Sequence, residues 1–146
     1  MNVRPSAIIL RDNSILTLCY CYSGTDVFAL PGGNPDPGEN LSQALARELE
    51  EELGILAEVK EMVCCGEVIW PEVQKETLHI VFEAEISDQN PVLNPEQTTA
   101  LKMVWLPVEE LPGKRLYPNI GKQITDFLNG NTTNAHIGVI DQPYIS

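Results

Sequence analysis

The sequence predicts an α/β fold in which one well-bounded amphipathic helix is set among several short strands. Strand-like segments lie before and after a helical pattern that runs from about Asn40 to Leu53, so the two kinds of element are interleaved. Eleven prolines and ten glycines are spread over 146 residues without a repeating period, which favours short elements joined by turns. With 43% apolar residues, a chain of this length can bury one core of its own.

The first elements are predicted to be strands. Ser6 to Leu10 and Ile15 to Tyr22 flank a polar turn over residues 11–14, which predicts a hairpin. Phe28 to Leu30 predicts a short strand that leads into residues 31–38, where three prolines and three glycines exclude regular structure.

The helix that follows carries a signal at each end. Asn40 is a good N-cap with Gln43 three residues later, close to a capping box. Gly54, followed by the apolar Ile55, is the expected C-terminal stop.

The second half continues the alternation. Strands are predicted over Glu58–Trp70, Thr77–Ile86 and Met103–Leu106, then one helical turn over 107–111 and a helix over Ile120–Leu128, closed by Gly130. Residues 1–130 are predicted to form a single domain. Residues 131–146 are predicted to form a C-terminal tail, weakly strand-like at 137–140, that packs on this domain or on a partner.

Charge and composition exclude some partners. Nine basic and twenty-one acidic residues give a net charge of −12, so polymeric nucleic acid is not expected to bind. A small phosphorylated ligand is compatible with this charge if divalent cations reverse it locally. The sequence lacks an apolar run of membrane-spanning length and a secretory signal, which predicts a cytoplasmic protein without a membrane partner. The four cysteines lack metal-knuckle spacing and are predicted to be small core residues.

Acidic residues share the buried face of the central helix. At about 100° per residue, the stripe of leucines that begins at Leu41 lies beside Glu48 and Glu52, each about 20° from Leu41. Glu51 lies about 80° away, and Glu50 lies about 180° away on the face expected to be solvated.

These carboxylates need positive charge. Arg47 is placed to pair with Glu51, four residues later, which leaves Glu48 and Glu52 without a cation. An ionised carboxylate near a core costs several kcal/mol unless it is compensated, and hard divalent ions accept carboxylate ligands. The pattern favours a metal site over a plain acidic face.

The same residues match a known motif. The Nudix box, G-x5-E-x7-R-E-U-x-E-E-x-G-U with U a bulky aliphatic residue, is filled at every specified position by Gly33, Glu39, Arg47-Glu48-Leu49, Glu51-Glu52 and Gly54-Ile55. The chain therefore resembles the Nudix hydrolases, including the MutT-like and ADP-ribose pyrophosphatase-like members. This resemblance implies an α/β/α sandwich with a mixed β-sheet and, since many relatives are dimers, a homodimer.

The resemblance also implies a set of site residues. Glu48, Glu51 and Glu52 would ligate Mg²⁺ or Mn²⁺ with the Gly32 carbonyl, and Arg47 would orient a carboxylate. Either Glu48 or Glu52 would act as general base, whereas Gly33, Glu39 and Gly54 would shape the motif. A further ligand from outside the box is expected at Glu96, with Glu83 and Glu85 as second choices. No substrate-binding residues are assigned.

The implied reaction is attack of water on a phosphorus of a nucleoside diphosphate linked to another moiety. Pro71, sixteen residues beyond Ile55, resembles a proline of ADP-ribose-cleaving members, and nucleoside triphosphates are the equal alternative. A non-hydrolytic nucleotide-sensing domain is the competing function. Trp70, Trp105 and Tyr117 are expected to serve packing more than base stacking.

Overall fold

The computed structural model describes residues 1–131 and 134–146, and its strands form two mixed sheets. In chain order the strands are β1 (Asn2–Ile8), β2 (Leu10–Arg11), β3 (Ser14–Tyr22), β4 (Thr25–Ala29), β5 (Glu58–Trp70), β6 (Lys75–Glu85), β7 (Lys102–Pro107), β8 (Leu116–Tyr117) and β9 (His136–Val139). The helices are α1 (Leu41–Leu53) and α2 (Gly121–Leu128), with 3-10 turns over Pro71–Val73 and Val108–Gly113.

Each sheet combines parallel and antiparallel pairs. One has the order β1-β6-β5-β9, in which β1 runs parallel to β6, and β5 runs antiparallel to it. The other has the order β2-β3-β4-β8, and β7 pairs with the free edge of β3 in antiparallel fashion. The expected mixed α/β fold is confirmed, with two sheets where the sequence predicted one.

The predicted N-terminal hairpin is only partly correct. Asp12 and Asn13 have φ of 50° and 60°, a left-handed pair typical of a tight hairpin turn, and β2 pairs with β3 as predicted. Residues 6–8, however, belong to β1 and lie beside residues 81–83 of β6. Local turn chemistry encodes the reversal but not the change of sheet at Ile9, because the parallel partner lies far along the chain.

Helix α1 begins and ends as predicted. The Asn40 side chain accepts from the Gln43 N–H at 2.8 Å, and the Gln43 side chain accepts from the Asn40 N–H at 3.0 Å, which completes the capping box. At the other end Gly54 adopts φ 65° and donates its N–H to the Glu50 carbonyl at 2.9 Å. Both ends of the carboxylate helix are therefore fixed by its own sequence.

Two apolar cores lie on opposite sides of the sheets. Successive strand residues point to opposite faces, so Ala7 joins the core under α1 and Ile8 joins the core under α2. Leu45, Leu49 and Leu53 are fully buried in the first core, and Ile124 is fully buried in the second. Helical cover on both sides gives the predicted α/β/α arrangement.

Only two of the four cysteines are buried. All four are free thiols, and Cys19 and Cys64 are buried as predicted. Cys65 is half-buried and Cys21 is exposed, so the prediction of a core position is wrong for Cys21, which lies near the end of β3 where the strand leaves the core.

The C-terminal segment adds a strand to the first sheet. His136 pairs with Cys65 in parallel, and the Ile140 N–H donates to the Glu67 carbonyl at 2.7 Å. The division of the chain at residue 130 stays a prediction, and Thr132 and Thr133 of the predicted tail lie outside the described residues. Within the described ranges, every helix is too short or too polar to cross a bilayer.

His79 of β6 is a buried histidine without a hydrogen-bond partner at either ring nitrogen among the described residues. Its ring packs edge-on against Tyr117 with centroids 4.7 Å apart. Burial, reinforced by the charge of Arg4, lowers its pKa from 6.5 to about 3. Folding therefore keeps this imidazole neutral at pH values where the unfolded chain protonates it.

We predict that His79→Phe flattens the pH dependence of stability. A folded-state pKa below the unfolded value contributes stability that is present above pH 6.5 and is lost as the pH falls towards 3. Urea midpoints at pH 7.5 and pH 5 should therefore differ less for the variant than for the wild type. Phe82→Leu, in the same strand, removes no titratable group and is the control that should keep the wild-type difference. Equal differences in all three proteins would contradict this account.

Candidate functional site

The loop over residues 31–38 lies against β1 because two successive glycines let it approach. A Cβ on Gly32 would lie 2.2 Å from the Pro5 carbonyl oxygen, and one on Gly33 would lie 2.4 Å from the carboxyl carbon of Glu48. Any side chain at either position would displace the loop or the carboxylate. The tandem glycines therefore place backbone directly beside the Glu48 carboxylate.

Arg47 is the centre of an ion-pair network that joins this loop to α1. Its Nε and Nη2 donate to the two oxygens of Glu39 at 2.8 and 3.0 Å, and its Nη1 donates to Glu48 and to Glu51 at 3.1 Å each. Asp36 lies 3.3 Å from Nε. The fork of guanidinium donors explains why one arginine serves so many carboxylates.

This network corrects one expectation from the sequence. The predicted Arg47–Glu51 pair is present, but the prediction that Arg47 leaves Glu48 without a cation is wrong, since the same nitrogen reaches both carboxylates. Glu39 also accepts from the Asp36 N–H at 2.8 Å, and these hydrogen bonds hold the pKa of Glu39 below its usual range. Glu39 thus links the loop to the helix.

Of the four box glutamates, Glu39, Glu48 and Glu51 pair with Arg47, whereas Glu52 has no salt bridge within the described part of the chain. It is only 8% exposed, and its carboxyl group forms hydrogen bonds with Glu48 and with Thr98. Burial, followed by the neighbouring Glu48, raises the pKa of Glu52 to about 8, against the opposing effects of Arg4 and Thr98. Two carboxyl groups in contact, one of them buried, make this the point of the helix that most needs added positive charge.

Among the described residues, the other predicted ligands do not converge with this pair into a cluster of three. Glu51 is exposed at the edge of the Arg47 network, and Glu50 is exposed as predicted. Glu96 is exposed in a loop that closes the end of α1, where the Asn94 N–H donates to the Glu52 carbonyl at 2.8 Å. Glu83 is half-buried, and Glu85 lies 3.5 Å from Lys60.

In residues 1–131 and 134–146, no three Asp, Glu, His or Cys side chains converge closely enough to enclose an ion. The Glu48–Glu52 pair nevertheless has the chemistry of a divalent-cation site. It supplies hard carboxylate oxygens in mutual contact, with the Gly32–Gly33 backbone beside them and no cationic side chain on Glu52. These residues fit Mg²⁺ or Mn²⁺.

The structure contains a cavity of about 410 Å³. Its lining residues are Arg4, Tyr20, Tyr22, Val27, Ala29, Trp70, Lys75, Tyr117, Gln142, Pro143, Tyr144, Ile145 and Ser146. This lining contains all four tyrosines of the chain, two basic residues and no acidic one. In a chain of net charge −12, that lining favours an anionic ligand with an aromatic part.

Arg4 and Tyr20 connect the cavity to the carboxylate pair. The charge of Arg4 acts on Glu52, and its Nη2 donates to the Leu30 carbonyl at 3.0 Å. Among the described residues Arg4 forms no ion pair, and its Nη1 has no hydrogen-bond partner. The Tyr20 hydroxyl lies 3.3 Å from the hydroxyl of Thr98, which bonds Glu52. Two residues that line the cavity therefore also act on Glu52, Arg4 through its charge and Tyr20 through Thr98.

Sequence reasoning missed most of this cavity. Trp70 and Tyr117, expected to serve packing, also line it, whereas Trp105 packs in the core under α1 and stacks below Arg11 at 4.9 Å. Tyr20 and Tyr22 alternate along β3 and stack at 6.1 Å, and two same-face aromatics at a strand end are a signal that would have found them. Arg4 carries no such signal.

Comparisons with known proteins agree with the geometry. The NUDIX domain family matches residues 2–127. A Bacillus subtilis (strain 168) protein, assigned as a candidate 8-oxo-dGTP diphosphatase, is 31% identical over 130 residues, covering 89% of this chain and 83% of that protein. The NAD-capped RNA hydrolase NudC of Pseudomonas putida (strain KT2440) is 29% identical over 86% of this chain, which spans only 44% of that relative's length.

A solved structure shares the fold. The solution structure of the E. coli ORF135 protein superposes with a TM-score of 0.68 at 27% identity, covering 88% of this chain and 89% of that one.

We predict that Arg47→Ala loosens the loop without unfolding the helix. Removing the guanidinium leaves Glu39, Glu48 and Glu51 unpaired, so backbone amides over residues 33–39 should exchange hydrogen at least about tenfold faster, while those of the capped α1 core stay protected. Hydrogen-exchange mass spectrometry measures both. Lys122→Ala is the control, because it removes a helical ion pair with the same four-residue separation, in which Lys122 Nζ lies 2.8 Å from Asp126 Oδ2. It should leave hydrogen exchange in the loop unchanged. Unaltered loop exchange in Arg47→Ala would contradict the assigned role.

Proposed function

The chain belongs to the Nudix hydrolase family, and from that premise we propose that it hydrolyses a pyrophosphate bond in a small nucleotide with the help of Mg²⁺ or Mn²⁺. The substrate would be a nucleoside diphosphate linked to another moiety. One observation carries the proposal: the contact between Glu48 and the buried Glu52, which lies beside the glycine loop and is linked through Arg4 to a basic, aromatic cavity.

The residues of the Nudix box would have different roles in this reaction. Glu48, Glu52 and the Gly32 carbonyl would hold the ion, with Glu51 and Glu96 completing its surroundings. When bound, the ion would offset the negative charge that develops on the phosphate oxygens. Arg47 keeps Glu48 and Glu51 oriented, and either Glu48 or Glu52 would accept the proton of the attacking water.

The cavity supports a nucleotide with an aromatic base. Four tyrosines and Trp70 supply aromatic faces. Arg4, which forms no ion pair with any described residue, adds a positive charge between these faces and the carboxylates. The names of the two relatives describe nucleotide substrates, a nucleoside triphosphate in one and an NAD cap in the other. Pro71 opens a 3-10 turn after β5, a position that separates neither substrate class from the other.

The net charge of −12 supports a small substrate over a long polyanion. The cytoplasmic location and the homodimer stay predictions.

We predict that Glu52→Gln lowers kcat by at least about a hundredfold, the usual order for losing a group that stabilises charge in the transition state. Without metal, the variant should melt no lower than the wild type, since it removes one of two carboxyl groups in contact. Glu50→Gln, on the exposed face of the same helix, is the matched control and should keep wild-type kcat. Near-normal turnover in Glu52→Gln would make this residue structural.

We predict that a chromatographic screen for the two phosphorylated products of cleavage finds activity that EDTA abolishes and that Mg²⁺ or Mn²⁺ restores. The panel should contain nucleoside triphosphates including 8-oxo-dGTP, ADP-ribose, NAD⁺, nucleotide sugars and dinucleoside polyphosphates. Turnover that persists in chelator would remove the metal from the mechanism. Nucleotide binding without turnover of any compound would instead support a sensing domain.

A further inference from the structure

The last residues of the chain form part of the cavity wall. Gln142 to Ser146 supply five of the thirteen lining residues, although the family match ends at residue 127. This wall therefore lies outside the residues that match the NUDIX domain family.

The segment is held in place by several hydrogen bonds. The Gln142 side chain accepts from the Asn119 N–H at 2.7 Å and donates to the Leu116 carbonyl at 2.9 Å. The Asn119 side chain donates to the Asp141 carbonyl at 2.8 Å, and the Ser23 hydroxyl donates to the Ser146 carbonyl. Just before it, Ile140 is buried in the second core, so the wall is attached at both of its ends.

An aromatic row runs along this wall. The rings of Tyr117 and Trp70 lie 5.9 Å apart at 27°, and those of Trp70 and Tyr144 lie 5.4 Å apart at 60°. The Trp70 Nε1 donates to the Gln142 carbonyl at 2.7 Å, which fixes the indole against the segment. Arg4 lies over the near end of the row, 5.4 Å from the centre of the Tyr117 ring. The row thus leads from the cation beside the carboxylates to Tyr144.

The far end of the row is remote from the carboxylates. Trp70 of β5 pairs with Lys75 of β6. Pro5 of β1, whose carbonyl accepts from the Gly33 N–H beside the carboxylates, pairs with Ile80 of β6. Five strand residues separate these two levels of β6, about 17 Å along the strand. A change at Tyr144 should therefore alter the binding of the substrate's distant end and leave the chemical step unchanged.

We propose that the C-terminal segment 142–146 determines substrate specificity, and that Tyr144 with Trp70 binds the planar heteroaromatic ring that the substrate carries away from the bond to be cleaved. The inference rests on the proposed function for the position of that bond. Tyr144 is 38% exposed, so part of its side chain is open to a ligand. Aromatic faces bind such rings by offset or edge contact, and a sugar phosphate without an aromatic ring cannot make this contact.

The test compares ligands with and without an aromatic ring. Calorimetry with AMP, GMP and ribose 5-phosphate, in Mg²⁺ and in EDTA, measures binding without turnover, since none of these compounds has a phosphoanhydride bond. The wild type should bind AMP or GMP at least tenfold more tightly than ribose 5-phosphate. Tyr144→Ala should lose most of that preference, Tyr144→Phe should keep it, and Val139→Ala, at an exposed residue outside the cavity, should match the wild type.

Activity gives an independent second readout. With the substrate found in the screen, Tyr144→Ala should raise KM at least tenfold and keep kcat within about twofold. An unchanged ring preference in Tyr144→Ala, or a wild type that binds all three probes equally, would overturn the proposal. Ring binding by a protein that hydrolyses nothing would overturn only the proposed function, so the two failures are distinguishable.

Discussion

The contact between the carboxyl groups of Glu48 and Glu52 is the constraint on which the rest of the site depends. Two acidic groups side by side, one of them 8% exposed, repel when both are ionised, and burial increases the cost. The surroundings reduce that cost from several directions. Arg47 donates to Glu48, Thr98 bonds to Glu52, and Arg4 contributes charge from β1. The glycine loop and the loop over residues 92–98 are both shaped around this pair.

The helix presents this pair because its hydrophobic face and its acidic face overlap. Leu45, Leu49 and Leu53 are fully buried against the sheet, and their burial fixes the rotation of α1 about its axis. With that rotation fixed, Glu52 must enter the interior and Glu50 must face solvent. Apolar burial thus supplies the free energy that holds an unfavourable electrostatic arrangement in place, as is common where stability is given up for function.

The sequence predicted those features whose residues lie close together along the chain, and it missed those that depend on distant residues. The ends of α1 were predicted because Asn40, Gln43 and Gly54 act within one turn of the residues that they cap. The Asp12–Asn13 turn was predicted for the same reason, but β1 was assigned to the wrong partner, since its pairing with β6 spans more than seventy residues. The number of ion pairs formed by Arg47 was underestimated, because helical periodicity shows only its neighbours on the helix. The loop carboxylates of Asp36 and Glu39 lie outside that pattern.

The residues that sequence reasoning missed share a physical property: each acts through a distant element. Arg4 is an ordinary strand residue until the fold places it between Glu52 and Tyr117. Tyr144 lies in an unpatterned tail until β9 adds to the sheet and brings it to Trp70.

In the proposed function, chemistry and selectivity would therefore reside in different parts of the chain. The acidic helix and glycine loop are compact in sequence, as a reaction that depends on a few fixed oxygens requires. The cavity is assembled from the sheet, the β8 region and the C-terminal segment, and its only basic residues are Arg4 and Lys75. Because these parts meet at Arg4, the proposed function would let the aromatic wall vary without disturbing the carboxylates, so that the same carboxylate pair would serve different nucleotides.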